Sequence, residues 1–192
     1  MQKVAKKKPR KPRQNKREEI IQSSVKVLGH YGYKGASLDS IATDAGVSKT
    51  LIIKYYETKE NLASVCIDRM LNNFSEKLDR LLNKKNVELD QFLTETFQLI
   101  KISRNEWQFL GGVRLTPALS SYSREINARN DENVRKVIEK YNDQIVEGEE
   151  SSFAFLMKGL LSQYITTGDA ESFHKAKEAL FGCFIKNYKT SK

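Results

Sequence analysis

An all-α fold is predicted for this chain of 192 residues, and three observations predict it. Apolar residues make up 39% of the sequence, which is enough to build a buried core. Only three prolines occur, and two of them, Pro9 and Pro12, lie in the first dozen positions. Beyond those positions the apolar residues recur at helical spacing along most of the chain. We expect about nine helices, divided between a small N-terminal domain and a larger C-terminal one.

Positive charge is concentrated at the N-terminus. The formal net charge is +9, and residues 1–17 contain nine Lys or Arg and no acid. The other 24 basic residues balance the 24 acidic ones, so the rest of the chain is close to neutral. We expect residues 1–17 to form a flexible basic arm that contacts a polyanion. The alternative is a solvated tail that only aids solubility.

Several classes of protein are disfavoured by what the sequence lacks. Cys66 and Cys183 are too few and too far apart for a disulfide framework or a zinc motif, so we expect reduced thiols packed as small apolar groups in the cytoplasm. His30 and His174 lie far apart in the sequence, and neither has a second His or a Cys at i+3 or i+4. No membrane span, secretory signal, phosphate loop or nucleophile motif is present. We therefore expect no catalytic residue, no metal, no cofactor and no membrane contact.

The segment after the arm predicts four helices with defined ends. Ile21, Val25 and Leu28 have helical spacing and mark the first helix. The expected N-caps of the next three helices are Ser37, Ser48 and Thr58, and the expected breaking or ending residues are Gly32, Gly35 and Gly46. The second and third helices are therefore short and are joined by a tight turn.

The stretch "GVSKTLIIKYYETKENL", residues 46–62, contains side chains that suit a strand, but we predict a helix. A strand would begin within two residues of a helix-ending glycine and would have no neighbouring strand to pair with. As a helix, the stretch directs Val47, Ile52 and Tyr56 inward. The residues expected to face outward are Lys49, Thr50, Lys54 and Tyr55.

Two short helices joined by a glycine turn are typical of the helix-turn-helix unit, whose second helix enters the DNA major groove. Ala42 is small where the two helices cross, and Gly46 supplies the turn. Ile41, Val47 and Ile52 are expected to fill the wedge between the helices. An ordinary helical hairpin is the alternative, but a basic outer face and a basic arm favour DNA binding.

Short motifs at fixed spacing carry a family resemblance. They are Gly-Tyr-x-Gly-x-Ser at 32–37, Ile-Ala at 41–42, Ala-Gly-Val-Ser at 45–48, Tyr-Tyr at 55–56 and Thr-Lys-Glu-x-Leu at 58–62. With them, residues 20–62 resemble the N-terminal domain of TetR/AcrR-type transcriptional regulators. The resemblance covers about a quarter of the chain. The remaining helices agree with that family's variable all-α regulatory domain in length and type.

The resemblance implies roles for individual residues. Ser37, Tyr55 and Lys59 are expected at DNA phosphates, and helix 3 is expected to face base edges or backbone. The implied DNA-binding set is Ser37, Ser48, Lys49, Thr50, Leu51, Lys54, Tyr55 and Lys59, with Arg10 and Arg13 of the arm at the backbone or in a narrow minor groove. Thr50 stands where the family usually has Gly, and Ile53 stands where it usually has an aromatic residue.

Residues 63–192 are expected to form an all-α regulatory and dimerisation domain. Aromatic residues suggest a cavity for an unknown, apolar small-molecule effector, lined by Phe74, Phe97, Trp107, Leu110 and Tyr122. The last two helices, about 151–166 and 170–188, are apolar on more than one face, which predicts a homodimer. The expected interface residues are Phe153, Met157, Leu160, Leu161, Tyr164, Leu180 and Phe184.

The domains predicted are therefore a basic arm (1–17), a helix-turn-helix DNA-binding domain (18–62) and a regulatory domain (63–192). We predict a DNA-binding transcriptional regulator of the bacterial cytoplasm, a homodimeric repressor that binds double-stranded DNA at a palindromic operator and is released by an effector. The alternative is a DNA-bound architectural or protein-recruiting factor with no ligand. "KKKPRKPR" also matches a nuclear targeting signal, which the bacterial type of helix-turn-helix disfavours.

Overall fold

The structure, a computed structural model, describes residues 13–186, and this part of the chain is all-helical apart from one isolated bridge between Ile145 and Ile185. Its α-helices are α1 (Arg13–Gly35), α2 (Leu38–Ala45), α3 (Lys49–Tyr56), α4 (Lys59–Leu82), α5 (Leu89–Ile102), α6 (Arg104–Gly112), α7 (Ser123–Tyr141), α8 (Glu150–Thr167) and α9 (Ala170–Phe184). Two short 3₁₀ helices, Val113–Leu115 and Pro117–Tyr122, connect α6 to α7. The all-α prediction is confirmed. Within residues 13–186 no helix has the length and apolar content needed to cross a membrane.

The first helix begins earlier than the sequence predicted. α1 starts at Arg13, so residues 13–17 are helical and do not belong to a flexible arm. Side-chain contacts stabilise this end of the helix from Lys16 onward. Lys16 Nζ lies 2.7 Å from Glu19 Oε2, and the Arg17 guanidinium lies 4.8 Å from the centre of the Tyr55 ring. Arg10 and the rest of residues 1–12 lie outside the described residues.

The predicted ends of the short helices are confirmed. The side chains of Ser37, Ser48 and Thr58 each accept a hydrogen bond from a backbone N–H of the first turn that follows. Gly46 has φ 60° and ψ 39°, the left-handed conformation expected at a helix C-terminus. Gly32, with φ 66° and ψ 176°, kinks α1 near its end. Local chemistry therefore sets the boundaries of α2 and α3.

Two apolar cores lie along α4, one at each half of the helix. The first joins α1–α4 to α6 and the 3₁₀ helices, and it includes Ile20, Ile41, Ile52, Phe109 and Leu119. The second joins the far half of α4 to α5, α7, α8 and α9. The predicted domain boundary at residues 62 and 63 falls inside α4, where both Leu62 and Ala63 are fully buried. The two predicted domains therefore share one continuous helix.

The end of α9 is fixed by extended backbone pairing. Val146 N–H donates to Phe184 O at 2.9 Å, and Lys186 N–H donates to Gln144 O at 2.8 Å. The Gln144 side chain also accepts the N–H of Leu89 at the start of α5, at 2.8 Å. The helix predicted to reach about residue 188 therefore stops at Phe184, because the following backbone pairs with the α7–α8 connection instead.

Helix α6 bridges α8 and α1. Arg104 and Gln108 donate to the carbonyls of Thr166 and Ile165, which are otherwise unpaired at the C-terminus of α8, at 3.1 and 3.0 Å. On its other side α6 approaches α1 at Gly29, where an added Cβ would lie 3.4 Å from the backbone nitrogen of Glu106. A displacement of α6 would therefore disturb its contacts with both α8 and α1.

The two cysteines occupy different environments. Cys66 is buried in the first core, and desolvation raises the pKa of its thiol to about 12. Cys183 is exposed on α9. The expectation that both thiols pack as small apolar groups is therefore correct for Cys66 and wrong for Cys183, because the part of α9 that carries Cys183 faces away from the second core.

An ion pair that joins α1 to α4 gives a test of the fold. Arg69 donates to both carboxylate oxygens of Glu18, at 2.6 and 2.8 Å, and these bonds hold the pKa of Glu18 below its usual value near 4.5. Both side chains are more than a third exposed, so we expect Glu18→Gln to lower the free energy of unfolding at pH 7 by only about 0.5–1 kcal/mol. Urea denaturation followed by circular dichroism measures this loss.

The pH dependence of that loss has a definite sign. A carboxylate with a depressed pKa stabilises the fold above its unfolded pKa, and the contribution disappears as the pH falls through the folded pKa. The difference between the wild type and Glu18→Gln should therefore shrink at pH 3. Glu76→Gln is the control, because Glu76 pairs with Arg80 at 3.4 Å within α4 alone and should cost less. An equal loss at pH 3 and pH 7 would contradict the assignment.

Candidate nucleic-acid interface and effector cavity

The turn between α2 and α3 is closed by backbone hydrogen bonds. Val47 N–H donates to Ala42 O at 3.0 Å, and the Gly46 N–H is directed at the carbonyls of Ala42 and Thr43. Ala42 and Ile41 are buried against Ile52 of α3 in the first core. This is the wedge predicted from the sequence. It fixes the direction of α3 relative to α2, as a helix-turn-helix requires.

Helix α3 has one buried and one exposed face. Ile52 is buried, and Leu51, Tyr55 and Tyr56 are half-buried. The exposed face consists of Lys49, Thr50, Ile53 and Lys54, which follow the i, i+1, i+4, i+5 spacing of one helical side. Lys49, Thr50 and Lys54 therefore lie where the sequence predicted. Leu51 and Tyr55 are only partly available.

Lys49 is held by an acid of the preceding helix. Its Nζ lies 2.8 Å from Asp39 Oδ2, in the first turn of α2. The pair places the N-terminal ends of α2 and α3 beside each other. Ser37 is exposed at that end of α2, where its Oγ accepts the Ser40 N–H at 3.0 Å. By contrast, Lys54 is exposed and pairs with no acid of the described chain.

Tyr55 is positioned by α1. Its ring packs partly against the first core and lies under the Arg17 guanidinium, an arrangement that a cation–π attraction favours. The neighbouring Tyr56 hydroxyl donates to Arg17 O at 3.4 Å. Arg17 and Tyr55 therefore form one edge of the exposed surface. Sequence reasoning assigned Arg17 to the flexible arm and did not include it in the DNA-binding set.

Lys59 belongs to a small cluster at the start of α4. Its Nζ lies 4.2 Å from the centre of the Tyr33 ring, and the Tyr33 hydroxyl donates to Glu60 Oε1 at 2.6 Å. Burial lowers the pKa of Lys59, while the hydrogen bond from Tyr33 lowers the pKa of Glu60. Burial and the same hydrogen bond raise the pKa of Tyr33. Lys59 is therefore half-buried beside an acid, which differs from a freely exposed phosphate ligand.

Three of the five residues predicted to bind an effector lie together. Phe74, Trp107 and Leu110 line a cavity of about 60 Å³ between α4, α5 and α6, and the Phe74 and Trp107 rings meet edge to face at 4.7 Å. Phe97 does not line it, because it is buried in the second core against Phe173. Tyr122 does not line it either, and lies in the second 3₁₀ helix, where it packs against another part of the first core.

A larger cleft of about 560 Å³ lies outside this cavity. It runs between α1 and the α5–α6 junction and is lined in part by His30, Tyr31 and Ile102. Ser103 and Glu106 line both the cavity and the cleft. Burial raises the pKa of Glu106, and the nearby Lys77 opposes that shift. One acidic side chain, that of Glu106, therefore borders both the inner cavity and the outer cleft.

The predicted dimer residues divide into two groups. Phe153, Met157 and Tyr164 are buried, and Leu161, Leu180 and Phe184 are half-buried against the second core, so these residues pack within their own chain. Leu160 is half-buried. Phe155 and Leu156, which the sequence analysis left out of the set, are 76% and 44% exposed. Helix α8 is apolar on several sides. The side that the sequence predicted to pair with a partner is the side that packs inward.

The fold and the surface of α3 define a class of protein: a helix-turn-helix domain mounted on an all-helical body, as in DNA-binding regulators. Residues 20–66 match the family "Bacterial regulatory proteins, tetR family". The resemblance to TetR/AcrR-type regulators is thereby confirmed for the N-terminal domain. No curated protein sequence matches the chain.

Solved structures share this fold over nearly the whole chain. A TetR-like transcriptional regulator from Rhodococcus sp. RHA1 is 19% identical, with a TM-score of 0.61 over 89% of this chain and 94% of its own. SmeT, the repressor of the Stenotrophomonas maltophilia multidrug efflux pump SmeDEF, was solved with triclosan and is 13% identical, with a TM-score of 0.66 over 90% and 93%. The multidrug binding protein EbrR with malachite green is 16% identical, with a TM-score of 0.65 over 90% and 99%. The likeness concerns the fold.

Proposed function

We propose that the protein is a transcriptional repressor that binds a palindromic operator as a homodimer and is released by a small-molecule effector. The observation that carries the proposal is the exposed face of α3, where Lys49, Thr50 and Lys54 project from a helix held by the α2–α3 turn. An exposed helix of this kind fits the major groove, and its lysines suit phosphates or base acceptors.

Phosphate contacts are supported at the rim of this face. Ser37 and Ser48 lie at the N-termini of α2 and α3, where backbone N–H groups favour anions. The Tyr55 hydroxyl and Arg17 form another edge of the surface. The basic N-terminal segment, with Arg10 before α1 and Arg13 at its first residue, is proposed to follow the DNA backbone and to add to the salt dependence of binding.

Lys54 gives the direct test of operator binding. The wild-type protein is used to select duplexes from a random pool, and the selected site is then measured by gel shift. Lys54→Ala should weaken binding by about 1–3 kcal/mol, because a lysine on the reading face no longer meets DNA. Tyr55→Phe removes only a hydroxyl and keeps the ring under Arg17, so it should cost less.

Lys101→Ala is the matched control, since Lys101 is an exposed lysine on α5 away from the helix-turn-helix. Circular dichroism should be unchanged in all three variants. If the wild type selects no sequence, or if Lys54→Ala and Lys101→Ala bind alike, the proposed DNA surface is wrong.

Dimerisation is proposed through the outer face of α8, not through the residues that pack inward. Phe155 and Leu156 are large apolar side chains left exposed, and Leu160 continues the same helical face at i+4 from Leu156. Burying such a face against its copy removes apolar area from water at about 25 cal/mol per Å². A two-fold axis at α8 would also present two copies of α3 to a palindromic site.

Sedimentation tests this interface. The wild type should sediment at twice the chain mass of 22.0 kDa at micromolar concentration, and Phe155→Asp should sediment as the monomer, because a charge cannot be buried in an apolar contact. Leu115→Asp is the control, since Leu115 is 75% exposed in a 3₁₀ helix, and it should keep the dimer mass. A wild-type mass near 22.0 kDa would refute the dimer.

The position of the cavity supports an effector site more than the volume of the cavity does. The cavity of about 60 Å³ is far smaller than the roughly 300–1,000 Å³ of typical ligand sites, whereas the adjoining cleft of about 560 Å³ is within that range. We propose that an effector with an apolar body enters the cleft and displaces Glu106 to reach Trp107. Because α6 packs on α1 and caps α8, this displacement would alter the position of the DNA-binding helices.

The small cavity also favours a second candidate function. If the interior stays filled, the protein is a DNA-bound architectural or recruiting factor with no ligand. Triclosan and malachite green, found in SmeT and EbrR, are suitable neutral and cationic probes.

Trp107 is the only tryptophan of the chain, so its fluorescence reports on the cavity. An apolar effector should quench the Trp107 fluorescence in a saturable way. Glu106→Gln should weaken the binding of a cationic probe and leave the binding of a neutral probe unchanged. Asp44→Asn is the control, because Asp44 lies in the cleft and is already paired with Lys26. A Trp107 signal unmoved by every compound of a diverse apolar library would favour the ligand-free function.

A further inference from the structure

One apolar side chain lies in the middle of the polar reading face of α3. Ile53 is 43% exposed, and it is one of few large apolar residues left so open among residues 16–186. It follows Lys49 by one helical turn and is flanked by Thr50 and Lys54. A surface position on a short helix does not by itself require an apolar residue, and isoleucine is a poorer helix former than many polar residues.

Ile53 does not contribute to the core that α3 packs against. The first core takes Ile52 from the buried face of the helix, with Val47, Tyr55 and Tyr56 packed against it, and Ile53 is not among its members. The side chain points away from that core together with Thr50 and Lys54. Because Ile53 is β-branched, its χ1 angle is restricted, so its methyl groups are held in a defined direction.

The chemistry of the major groove narrows what Ile53 can recognise. Ile53 has no donor or acceptor, so it cannot bond the hydrogen-bonding edges of any base pair. The one apolar group that the four base pairs present in that groove is the C5-methyl of thymine. We propose that Ile53 is a specificity residue that packs on a thymine methyl at one position of each operator half-site.

This inference rests on the proposed function, since it assumes that α3 reads DNA. It adds the identity of the base that lies opposite the centre of the helix and the contact by which that base is recognised. Removing one buried methyl group lowers affinity by about fourfold, as expected from the transfer free energy of a CH₂ group. Replacing thymine by deoxyuridine removes that methyl and leaves every hydrogen-bonding group in place.

The experiment uses the full chain and the duplex selected with it from a random pool. Each thymine of one half-site is replaced in turn by deoxyuridine, and affinities are measured by fluorescence anisotropy. For the wild type, one replacement should weaken binding about fourfold. With Ile53→Ala, binding to the thymine duplex should be weaker, and the thymine-to-deoxyuridine ratio at that position should fall to about one.

Two variants serve as controls. Thr50→Ser removes the only other methyl group of the exposed face and should leave the ratio at four, whereas Lys54→Ala should weaken both duplexes equally. The proposal is overturned if no thymine is sensitive, if Ile53→Ala keeps the wild-type ratio, or if Thr50→Ser abolishes it. A wild-type protein that selects no site would instead refute the proposed function itself, and this inference with it.

Discussion

The burial of one side of α3 is the constraint on which the proposed DNA-binding surface depends. An eight-residue helix is not stable in isolation, because its few hydrogen bonds do not offset the cost of nucleation. Here Ile52 is buried beside Ile41 of α2, and caps at Ser48 and Gly46 satisfy the neighbouring backbone groups. Once that side is fixed, the opposite side of the helix is exposed in a single orientation, which is the condition for reading a groove.

The same first core connects this surface to the rest of the molecule. Helix α4 starts beside α3, passes through the first core and continues into the second, so the two regions do not meet at a flexible linker. Helix α6 adds a second connection, since Arg104 and Gln108 cap α8 while Gly29 of α1 packs close to its backbone. Changes near Trp107 therefore have two physical routes to α2 and α3, and both consist of packed helices.

Charge is distributed unevenly over the reading surface. Lys49 is paired with Asp39, and Lys59 lies on Tyr33 beside Glu60, so both are partly compensated within the chain. Lys54 is exposed and pairs with no described acid. Binding to DNA would require the compensated lysines to exchange partners, which reduces the net gain from each. The centre of the face, with Thr50, Ile53 and Lys54, is the part proposed to discriminate between sequences.

The sequence alone determined the starts of α2, α3 and α4, the end of α2 and the outward positions of Lys49, Thr50 and Lys54. The caps at Ser37, Gly46, Ser48 and Thr58 depend on chemistry within a few residues. The buried face of an amphipathic helix can be identified from the spacing of its apolar residues. Only the tertiary structure decided which side of α8 faces inward, because that helix is apolar on several sides and any of them could pack. It also placed Arg17 of α1 over the ring of Tyr55, and Phe97 in a core instead of at a cavity, since those contacts join residues that are distant in sequence.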